Sequence, residues 1–368
     1  MSIRKLGVEE ELLLVDPDTG RLTAVAEHAI REHEGKDHAG EEEPDVEREL
    51  FRQQIETMTD PCETLDDLED QLRSGRRTLT RVASDVGAAA VAMPTPVLVD
   101  EGSDITPKPR YERIREEYGE LARTALASAM HIHVDVDDEE QGVRVLDGIR
   151  PWLPVLLAVS ANSPYSRGQD TGHASWRTQI WTRWPSHGTG EAFGSAATYD
   201  EVRGALTEWG AALDDGMIYF DARLSQKYPT VEIRVTDVCT DVADALLVAA
   251  LARGLVTAVA ADDPAGPWRS ELVRAATWRA ARYGLADQLV HPLERRLAPA
   301  REVLDSLVQL ARPALDEAGD RRRVDGLVEE LFSRGTGATR QRRVFEKEGD
   351  LESVVHDLVA RTEESGGA

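Results

Sequence analysis

The sequence predicts an α+β fold, with strands mainly in residues 1–240 and helices in 241–364. Two observations carry this prediction. Short segments that alternate polar and apolar residues, bounded by turn residues, recur up to about Asp237 and are typical of half-buried strands. After that point, apolar residues recur at the spacing of amphipathic helices. The chain has 368 residues and no internal repeat, so we predict a single domain over 1–368.

The composition is strongly acidic. The net charge is −25, with 68 acidic and 43 basic residues, of which only five are lysines. We interpret acid excess with few lysines as adaptation to molar salt; an acidic surface for a partner is the alternative, but the acids are spread along the chain. Such a charge argues against nucleic acid as a partner, although a nucleotide could still be held locally by arginine and metal.

Cysteine content and hydropathy favour a cytoplasmic protein without a membrane segment. Cys62 and Cys239 are too few for a disulfide framework or a zinc cluster, and they are typical of a reducing compartment. The N-terminus has no apolar signal core, and the most apolar stretch, Val242–Ala261, carries Asp244 and Arg253.

The first predicted strand, within 7–17, places two carboxylates on one face. Side chains alternate along a strand, so Glu9 and Glu11 share a face while Val8 and Glu10 take the other. Two carboxylates about 7 Å apart on a buried face repel each other unless a positive group lies between them. A divalent cation or an arginine pair would serve; the alternative is an edge strand whose charges face water.

The later elements follow from the same two periodicities. We interpret the long segment 161–194, which contains three tryptophans, as a loop and expect it to be functional. The predicted elements are a loop at 27–44 that includes the acidic run 41–43, a strand at 46–57, a helix at 65–90, a strand at 88–92, a proline-rich loop to 111, a helix at 111–127, a strand at 130–137, a helix at 139–160 kinked at Pro151 and Pro154, a helix at 199–213, a hairpin of strands at 218–225 and 230–237, and helices at 241–261, 268–283, 303–310, 320–333 and 339–360.

Polar faces recur on the later strands. His131 and His133 share a face in one strand, and Glu232 and Arg234 share a face in another, next to a strand that contains Arg223. Each signal alone has a commoner structural explanation, such as a hydrogen-bonded core histidine or a salt bridge. If these strands belong to one sheet with the predicted strand at 46–57, which carries Glu49 and Glu56, one face gathers at least five carboxylates, a histidine pair and two arginines.

Such a surface would need divalent cations to offset its negative charge. Ligation mainly by carboxylates, with one histidine, favours magnesium or manganese over zinc. Arginines beside those metals suit phosphate, which they bind bidentately, so the face is equipped for phosphoryl transfer. No Walker A loop or Rossmann glycine fingerprint is present, so a nucleotide would have to be held on the sheet.

Five motifs then occur in order: Gly7-Val8-Glu9-Glu10-Glu11, Met130-His131-Ile132-His133, Ser175-Trp176-Arg177, Val231-Glu232-Ile233-Arg234 and Ala338-Thr339-Arg340-Gln341-Arg342. Together they resemble the type 2 glutamate–cysteine ligases, of the carboxylate–amine ligase subfamily and the haloarchaeal type, from residue 5 to about 360. The resemblance implies a glutamine synthetase-like catalytic fold, whose antiparallel sheet binds ATP and divalent metals on its concave face and packs helices on its back. The chain departs from the pattern at 92–96, where it lacks a Gly-Thr-His-Pro-like turn.

The resemblance also implies roles for individual residues. The implied ligands of Mg²⁺ or Mn²⁺ are Glu9, Glu11, Glu49, Glu56, His131 and Glu232. The implied catalytic contacts, to the transferred phosphoryl group or a substrate carboxylate, are Arg234, Arg223 and Arg177. The implied nucleotide contacts are Arg234, Arg223 and Arg340. His133 is expected to support a ligand.

The activity implied by the resemblance is ATP-dependent ligation of L-glutamate to L-cysteine through γ-glutamyl phosphate. A homodimer is the assembly that the family suggests. The salt-adapted composition favours cysteine as the amine, because salt-loving archaea are expected to use γ-glutamylcysteine as their main thiol. The alternatives are a ligase that joins glutamate to another amine, a metal-dependent hydrolase built on His131 and His133, and a protein that binds ATP or metal without turnover.

Overall fold

An antiparallel sheet of seven strands forms the centre of the structure, a computed structural model that describes residues 3–35, 44–98 and 104–367. The strands of the described residues are β1 (Leu6–Val15), β2 (Val46–Arg48), β3 (Gln54–Met58), β4 (Ala89–Val91), β5 (Met130–Asp135), β6 (Tyr165–Ser166), β7 (Gln169–Asp170), β8 (Ala222–Leu224), β9 (Thr230–Ile233), β10 (Gln288–Val290) and β11 (Leu297–Pro299). The main sheet has the order β2-β3-β1-β5-β9-β8, and β4 pairs with the far end of β1. The central strand β1 therefore contacts three neighbours, and its side chains lie in the middle of the sheet.

The described residues also form fourteen α-helices. They are α1 (Ala26–Glu34), α2 (Leu65–Ser84), α3 (Pro109–Tyr118), α4 (Glu120–Arg123), α5 (Glu139–Ile149), α6 (Leu153–Ser160), α7 (Arg177–Trp181), α8 (Ala196–Glu208), α9 (Val242–Ala261), α10 (Ser270–Tyr283), α11 (Ala300–Ala318), α12 (Arg321–Arg334), α13 (Gly337–Glu348) and α14 (Leu351–Gly366). Side chains of α2, α5 and α9 share one hydrophobic core with the back of the sheet. The opposite, concave face carries polar side chains around the first half of β1 and a second hydrophobic core, which includes Leu13 and Val15, around its second half.

The alternation predicted for β1 places Glu10 on one face of the sheet and Glu9 and Glu11 on the other. Val8, Leu12 and Leu14 belong to the core on the helix side. Glu10 also faces the helices, where Arg76 of α2 binds it bidentately, with nitrogen–oxygen distances of 2.6 and 3.0 Å. Both side chains are almost completely buried, so this pair satisfies a charge that would otherwise destabilise the core.

Helix α9 is the one helix among the described residues that is long and apolar enough to span a membrane, with a mean hydropathy of 1.9. Most of its apolar 18-residue stretch, 83%, is buried inside the fold. Its Asp244 is bound by Arg334 and Arg340, and its Arg253 by Asp320. These contacts are typical of a core helix whose few charges are paired.

The antiparallel sheet and the helices on its back agree with the predicted α+β class. Several local predictions were wrong. The strand predicted at 46–57 is two short strands joined by a turn, part of the loop at 27–44 is helix α1, and the segment 161–194 contains β6, β7 and α7. The acidic run 41–43 and part of the proline-rich loop, 99–103, lie outside the described residues.

Two predicted helices are each divided by a glycine in an unusual conformation. Gly119, with φ of +55°, separates α3 from α4, and Gly349, with φ of +86°, separates α13 from α14. Positive φ costs little only for glycine and ends a right-handed helix. The helix predicted at 303–310 is α11, which extends from 300 to 318, and the hairpin of β10 and β11 was not predicted.

Candidate active site

Antiparallel pairing brings the predicted polar residues of the concave face side by side. Glu11 lies opposite Glu56 across β1 and β3, and Glu9 lies opposite His131 across β1 and β5. His133 lies opposite Glu232, and Glu232 in turn opposite Arg223. Directly opposed side chains in such pairs have Cβ atoms about 5 Å apart, so these groups can share a ligand.

A cavity of about 610 Å³ lies over this face. The predicted residues that line it are Glu9, Glu11, Glu49, Glu56, His131, Arg223, Glu232 and Arg234. This volume is within the range of small-molecule sites, and its lining is unusually rich in charge. The structure therefore gathers eight of the predicted site residues around one space.

One side of the cavity floor is the imidazole cluster, defined as Glu9, His131, His133 and Glu232. Nδ1 of His131 lies 3.0 Å from Oε2 of Glu9, and Nε2 of His133 lies 3.1 Å from Oε1 of the same carboxylate. Candidate ligand atoms of Glu9, His133 and Glu232 all lie within 4.8 Å of one another, as do those of Glu9, Glu56 and His131. This spacing suits a divalent cation with mixed nitrogen and oxygen ligands.

The protein itself balances the charge of the imidazole cluster. Burial opposes ionisation of Glu9, but hydrogen bonds with His131 and His133 outweigh it and lower the pKa of Glu9. Burial likewise opposes ionisation of Glu232, but Arg234 and Arg223 lower its pKa to about 2. Burial, helped by Arg234, lowers the pKa of His131 to about 4, which keeps the ring in the neutral form that binds metals.

The other side of the floor is the carboxylate cluster, defined as Glu11, Glu49 and Glu56. Their candidate ligand oxygens lie within 4.8 Å of one another. Burial and the charge of Glu49 raise the pKa of Glu11 to about 8, and the same two causes raise the pKa of Glu56 well above its usual value. A site of oxygen ligands with uncompensated negative charge fits a hard divalent cation such as Mg²⁺ or Mn²⁺.

Two predicted arginines converge on Glu232. Arg223 binds it bidentately, with Nε 2.7 Å from Oε2 and Nη2 3.2 Å from Oε1, and Arg234 also binds Oε1. Nη1 of Arg223 donates to the carbonyls of residues 215, 216 and 218, which fix its direction. Both arginines therefore lie on the imidazole side of the cavity, where Glu232 holds them in place.

Arg177 lies in a separate small chamber of about 20 Å³ that it shares with Arg234. Its terminal nitrogens donate to the carbonyls of Arg234 and Val235, at 3.2 and 3.4 Å. Its Nε is buried, and no hydrogen-bond partner for it is found among the described residues. The guanidinium lies 5.9 Å from the ring centroid of Trp181, and its charge also acts on Glu11 of the carboxylate cluster.

Arg340 is the exception among the predicted residues, because it lines neither space. Its Nη2 binds Asp244 at 2.6 Å and Asp241 at 2.8 Å, and Nη1 donates to the carbonyl of Gly335 at 2.9 Å. These contacts join α13 to the start of α9. The geometry therefore gives its predicted nucleotide contact no support and indicates a structural role.

Several residues that were not selected from the sequence orient the selected ones. Nε2 of Gln54 donates to Oε2 of Glu11 at 2.9 Å, and the backbone N–H of Ala129 donates to the same oxygen at 2.8 Å. Oγ1 of Thr230 lies 2.9 Å from Nδ1 of His133. Gln54 and Thr230 each precede a selected glutamate by two residues, so strand alternation could have identified them.

Comparison with known proteins identifies the chain. It matches the glutamate–cysteine ligase family 2 over residues 5–357. The chain belongs to this family. A Nocardioides protein provisionally named glutamate–cysteine ligase 2-1 is 49% identical over 99% of this chain and 97% of its own length. A protein of Streptomyces coelicolor, provisionally named glutamate–cysteine ligase 2, is 43% identical over 98% and 99%.

Solved structures of low sequence identity share the fold of this ligase family member. A glutamate–cysteine ligase from Francisella tularensis in complex with AMP has a TM-score of 0.71 and 10% identity, over 100% of this chain and 89% of its own. A bifunctional glutathione synthetase from Pasteurella multocida has a TM-score of 0.71 and 16% identity, over 99% and 52%. The predicted family and glutamine synthetase-like fold are thus confirmed.

The salt-adaptation interpretation gains no support from these comparisons. The two relatives named above come from the actinobacteria Nocardioides and Streptomyces. The argument from habitat to cysteine as the amine therefore loses its basis. The acidic composition itself is unchanged by this finding and still argues against nucleic acid as a partner.

Proposed function

We propose that the protein is an ATP-dependent ligase that joins L-glutamate, through its γ-carboxylate, to the amino group of L-cysteine. Its family makes it a ligase of the carboxylate–amine class. The observation that carries the finer proposal is the concave face, where two ligand clusters lie side by side and two arginines border one of them. A nucleotide polyphosphate beside a carboxylate substrate is the pair of ligands that such a face suits.

Divalent metal is proposed at both clusters. Glu9, His133 and Glu232, or Glu9 with His131 and Glu56, would hold one ion, and the carboxylate cluster would hold another. When bound, Mg²⁺ or Mn²⁺ would neutralise the phosphate oxygens and the carboxylates around them. The raised pKa values of Glu11 and Glu56 support this proposal, because burial and neighbouring acids outweigh the charges of Arg177 and Arg234 that act on Glu11.

The reaction would proceed in two displacements. An oxygen of the glutamate γ-carboxylate attacks the γ-phosphorus of ATP in line, the bond to the bridging oxygen breaks, and γ-glutamyl phosphate and ADP form. The cysteine nitrogen then attacks the acyl carbon, phosphate leaves, and the nitrogen loses a proton to give the amide. Arg234 and Arg223 would offset charge on the transferred group, and no protein nucleophile is needed.

The identity of the amine is supported by family membership and by the names of the relatives. A glutamate-dependent ligase for another amine remains the alternative. A cytoplasmic location and a homodimer also remain predictions.

The test is ADP release by the purified protein with Mg²⁺, glutamate, ATP and a panel of primary amines that includes cysteine. We expect release to require glutamate and to be fastest with cysteine, with γ-glutamylcysteine as the product detected by mass spectrometry. Faster release with another amine would reject cysteine but keep the ligase class. Hydrolysis of a substrate without ATP would instead support a metal-dependent hydrolase.

A further inference from the structure

A buried carboxylate lies just after β9, the strand that carries Glu232. Asp237 is fully buried, and it lines neither the cavity nor the small chamber of Arg177. Its backbone pairs with that of Ala129 in an antiparallel bridge, which fixes it beside the residue that precedes β5. A buried carboxylate costs free energy unless hydrogen bonds and a positive charge stabilise it, so its partners indicate its role.

Asp237 accepts hydrogen bonds from two segments that lie far from it in the sequence. Its Oδ2 accepts from the N–H of Asn162 at 2.9 Å and from the hydroxyl of Ser163 at 2.8 Å. Its Oδ1 accepts from the hydroxyl of Ser175 at 2.9 Å. All three donor residues are almost completely buried. One side chain therefore fixes both segments against the residues that follow β9.

These hydrogen bonds also fix Arg177, at the start of α7. Its backbone N–H donates to the hydroxyl of Ser163 at 3.1 Å, so this hydroxyl joins Arg177 to Asp237. At the other end of the residue, the guanidinium donates to the carbonyls of Arg234 and Val235. The backbone and the side chain of Arg177 are therefore both attached to the residues that follow β9.

The charge of Asp237 has a second effect on Arg177. The guanidinium groups of Arg177 and Arg234 line the same small chamber and repel each other. Arg234 is bound by Glu232, whereas the hydrogen-bond acceptors found for the guanidinium of Arg177 among the described residues are neutral carbonyls. Burial lowers the pKa of Arg177, and the negative charge of Asp237 opposes this change more than any other group does. Asp237 therefore stabilises a second positive charge next to Arg234.

We propose that Asp237 is a positioning residue of the ligase reaction, which fixes Arg177 next to Arg234 through the hydroxyl of Ser163 and through its own negative charge. This inference rests on the proposed function, in which arginines beside the cavity offset the charge of the transferred group. Because Asp237 lines neither space, it acts through Arg177 and not on a ligand. The alternative is a residue that stabilises the fold without affecting the reaction.

A double-mutant cycle on the rate of ADP release tests the inference. Asp237→Asn keeps the shape of the side chain but removes its charge, so kcat/KM for glutamate should fall about thirtyfold, because small displacements of a catalytic group are costly. In an Arg177→Met background, the same change should lower kcat/KM by less than about threefold, since the residue through which Asp237 acts is gone. Losses that multiply in the double variant would overturn the inference.

Asp320→Asn is the matched control. Asp320 is also a buried aspartate beside an arginine, Arg253, but it lies immediately before α12. Its replacement should lower the free energy of unfolding yet leave kcat/KM per folded molecule within about twofold in either background, because distant sites act independently. If Asp237→Asn does not fold, Ser163→Ala replaces it in the cycle, with an expected loss of about fivefold that again disappears in the Arg177→Met background.

Failure of the proposed function would give a different result. If the parent releases no ADP with glutamate and any of the amines, the proposed function fails, and crystal structures of the parent and of Asp237→Asn then decide the inference. Displacement of the guanidinium of Arg177 by more than about 1 Å from the carbonyls of Arg234 and Val235 would support it. An unmoved guanidinium in the folded variant would overturn it.

Discussion

The imidazole and carboxylate clusters use similar ligands in opposite electrostatic surroundings. In the imidazole cluster, burial would raise the pKa of Glu9 and Glu232, but histidine hydrogen bonds and two arginines outweigh it and lower both values. In the carboxylate cluster, burial and neighbouring acids act in the same direction and raise the pKa of Glu11 and Glu56. The protein itself thus offsets the negative charge of the imidazole cluster, whereas the carboxylate cluster requires a proton or a cation.

This difference shows how one continuous strand can serve two kinds of site. Glu9 and Glu11 are two residues apart on the same face of β1. Their neighbours across the sheet differ, with a histidine opposite Glu9 and a glutamate opposite Glu11. Because opposed side chains in a sheet are close together, the partner strand decides the charge state of each carboxylate.

The largest expected effect comes from Glu232→Gln. The change removes the charge that both arginines bind. The rate of ADP release should therefore fall about a thousandfold, which is the upper end of the loss expected for one transition-state contact. It also leaves two buried arginines without their counter-charge, which should lower the free energy of unfolding of the metal-free protein by about 3 kcal/mol. Kinetics and denaturant unfolding measure the two effects, with Glu352→Gln on the exposed start of α14 as the control. Wild-type rates in a folded variant would contradict the role of Glu232.

The same substitution in the carboxylate cluster should have the opposite effect on stability. Glu11→Gln removes a repelled charge, so the metal-free protein should be more stable by roughly 2 kcal/mol at pH 9. A carboxyl group whose pKa is raised in the folded state contributes stability while protonated and loses it as pH rises through about 8. The gain should therefore shrink towards pH 5. Equal destabilisation by Glu11→Gln and Glu232→Gln in metal-free buffer would remove the distinction between the clusters.

Metal binding should release protons from the carboxylate cluster. At pH 7, Glu11 holds a proton in the metal-free protein because its pKa is about 8, and Glu56 has a raised pKa as well. Binding of Mn²⁺ should release about one to two protons per chain at pH 7 and fewer at pH 9. Calorimetry in buffers of different ionisation enthalpy measures the number of protons that are released. Release that is unchanged by Glu11→Gln would show that the protons come from elsewhere.

The smallest expected effect concerns Gln54, which holds one oxygen of Glu11. Gln54→Ala should weaken Mn²⁺ at the carboxylate cluster by about tenfold, as is common for residues that orient a metal ligand. The imidazole cluster should keep its affinity, because Gln54 makes none of its contacts. Titration followed by electron paramagnetic resonance resolves the two classes of site. Equal weakening of both classes would indicate a general disturbance of the sheet.

Sequence reasoning predicted the site better than the boundaries of the elements. Eight of the predicted residues meet at one cavity. Glu9, Glu11, His131, Glu232 and Arg234 were selected from a two-residue alternation within a strand, whereas Glu49 lies between β2 and β3. Helix ends were less accurate, because a glycine such as Gly349 ends a helix only if its backbone takes positive φ. The segment 46–57 divides because β2 folds back to pair with β3, which in turn pairs with β1, and the alternation of side chains does not reveal this pairing.

The role of Arg340 illustrates the limit of motif resemblance. The motif Ala338–Arg342 was assigned on order and composition, and these do not reveal which partners a guanidinium meets. In the fold, Asp241 and Asp244 lie about a hundred positions earlier in the chain yet bind Arg340 directly. A buried arginine with two carboxylates has little free energy to gain from a more distant phosphate.

The sequence by itself determined which side chains share a strand face, because the alternation of an extended chain is a local property of the backbone. It also determined the α+β class, because both hydrophobic periods are present and predicted strands end at about residue 237. Only the tertiary structure decided that Glu9 meets histidines while Glu11 meets glutamates, and that Glu10 is neutralised by Arg76. Those outcomes depend on strand register and burial, which bring together residues that are far apart in the chain.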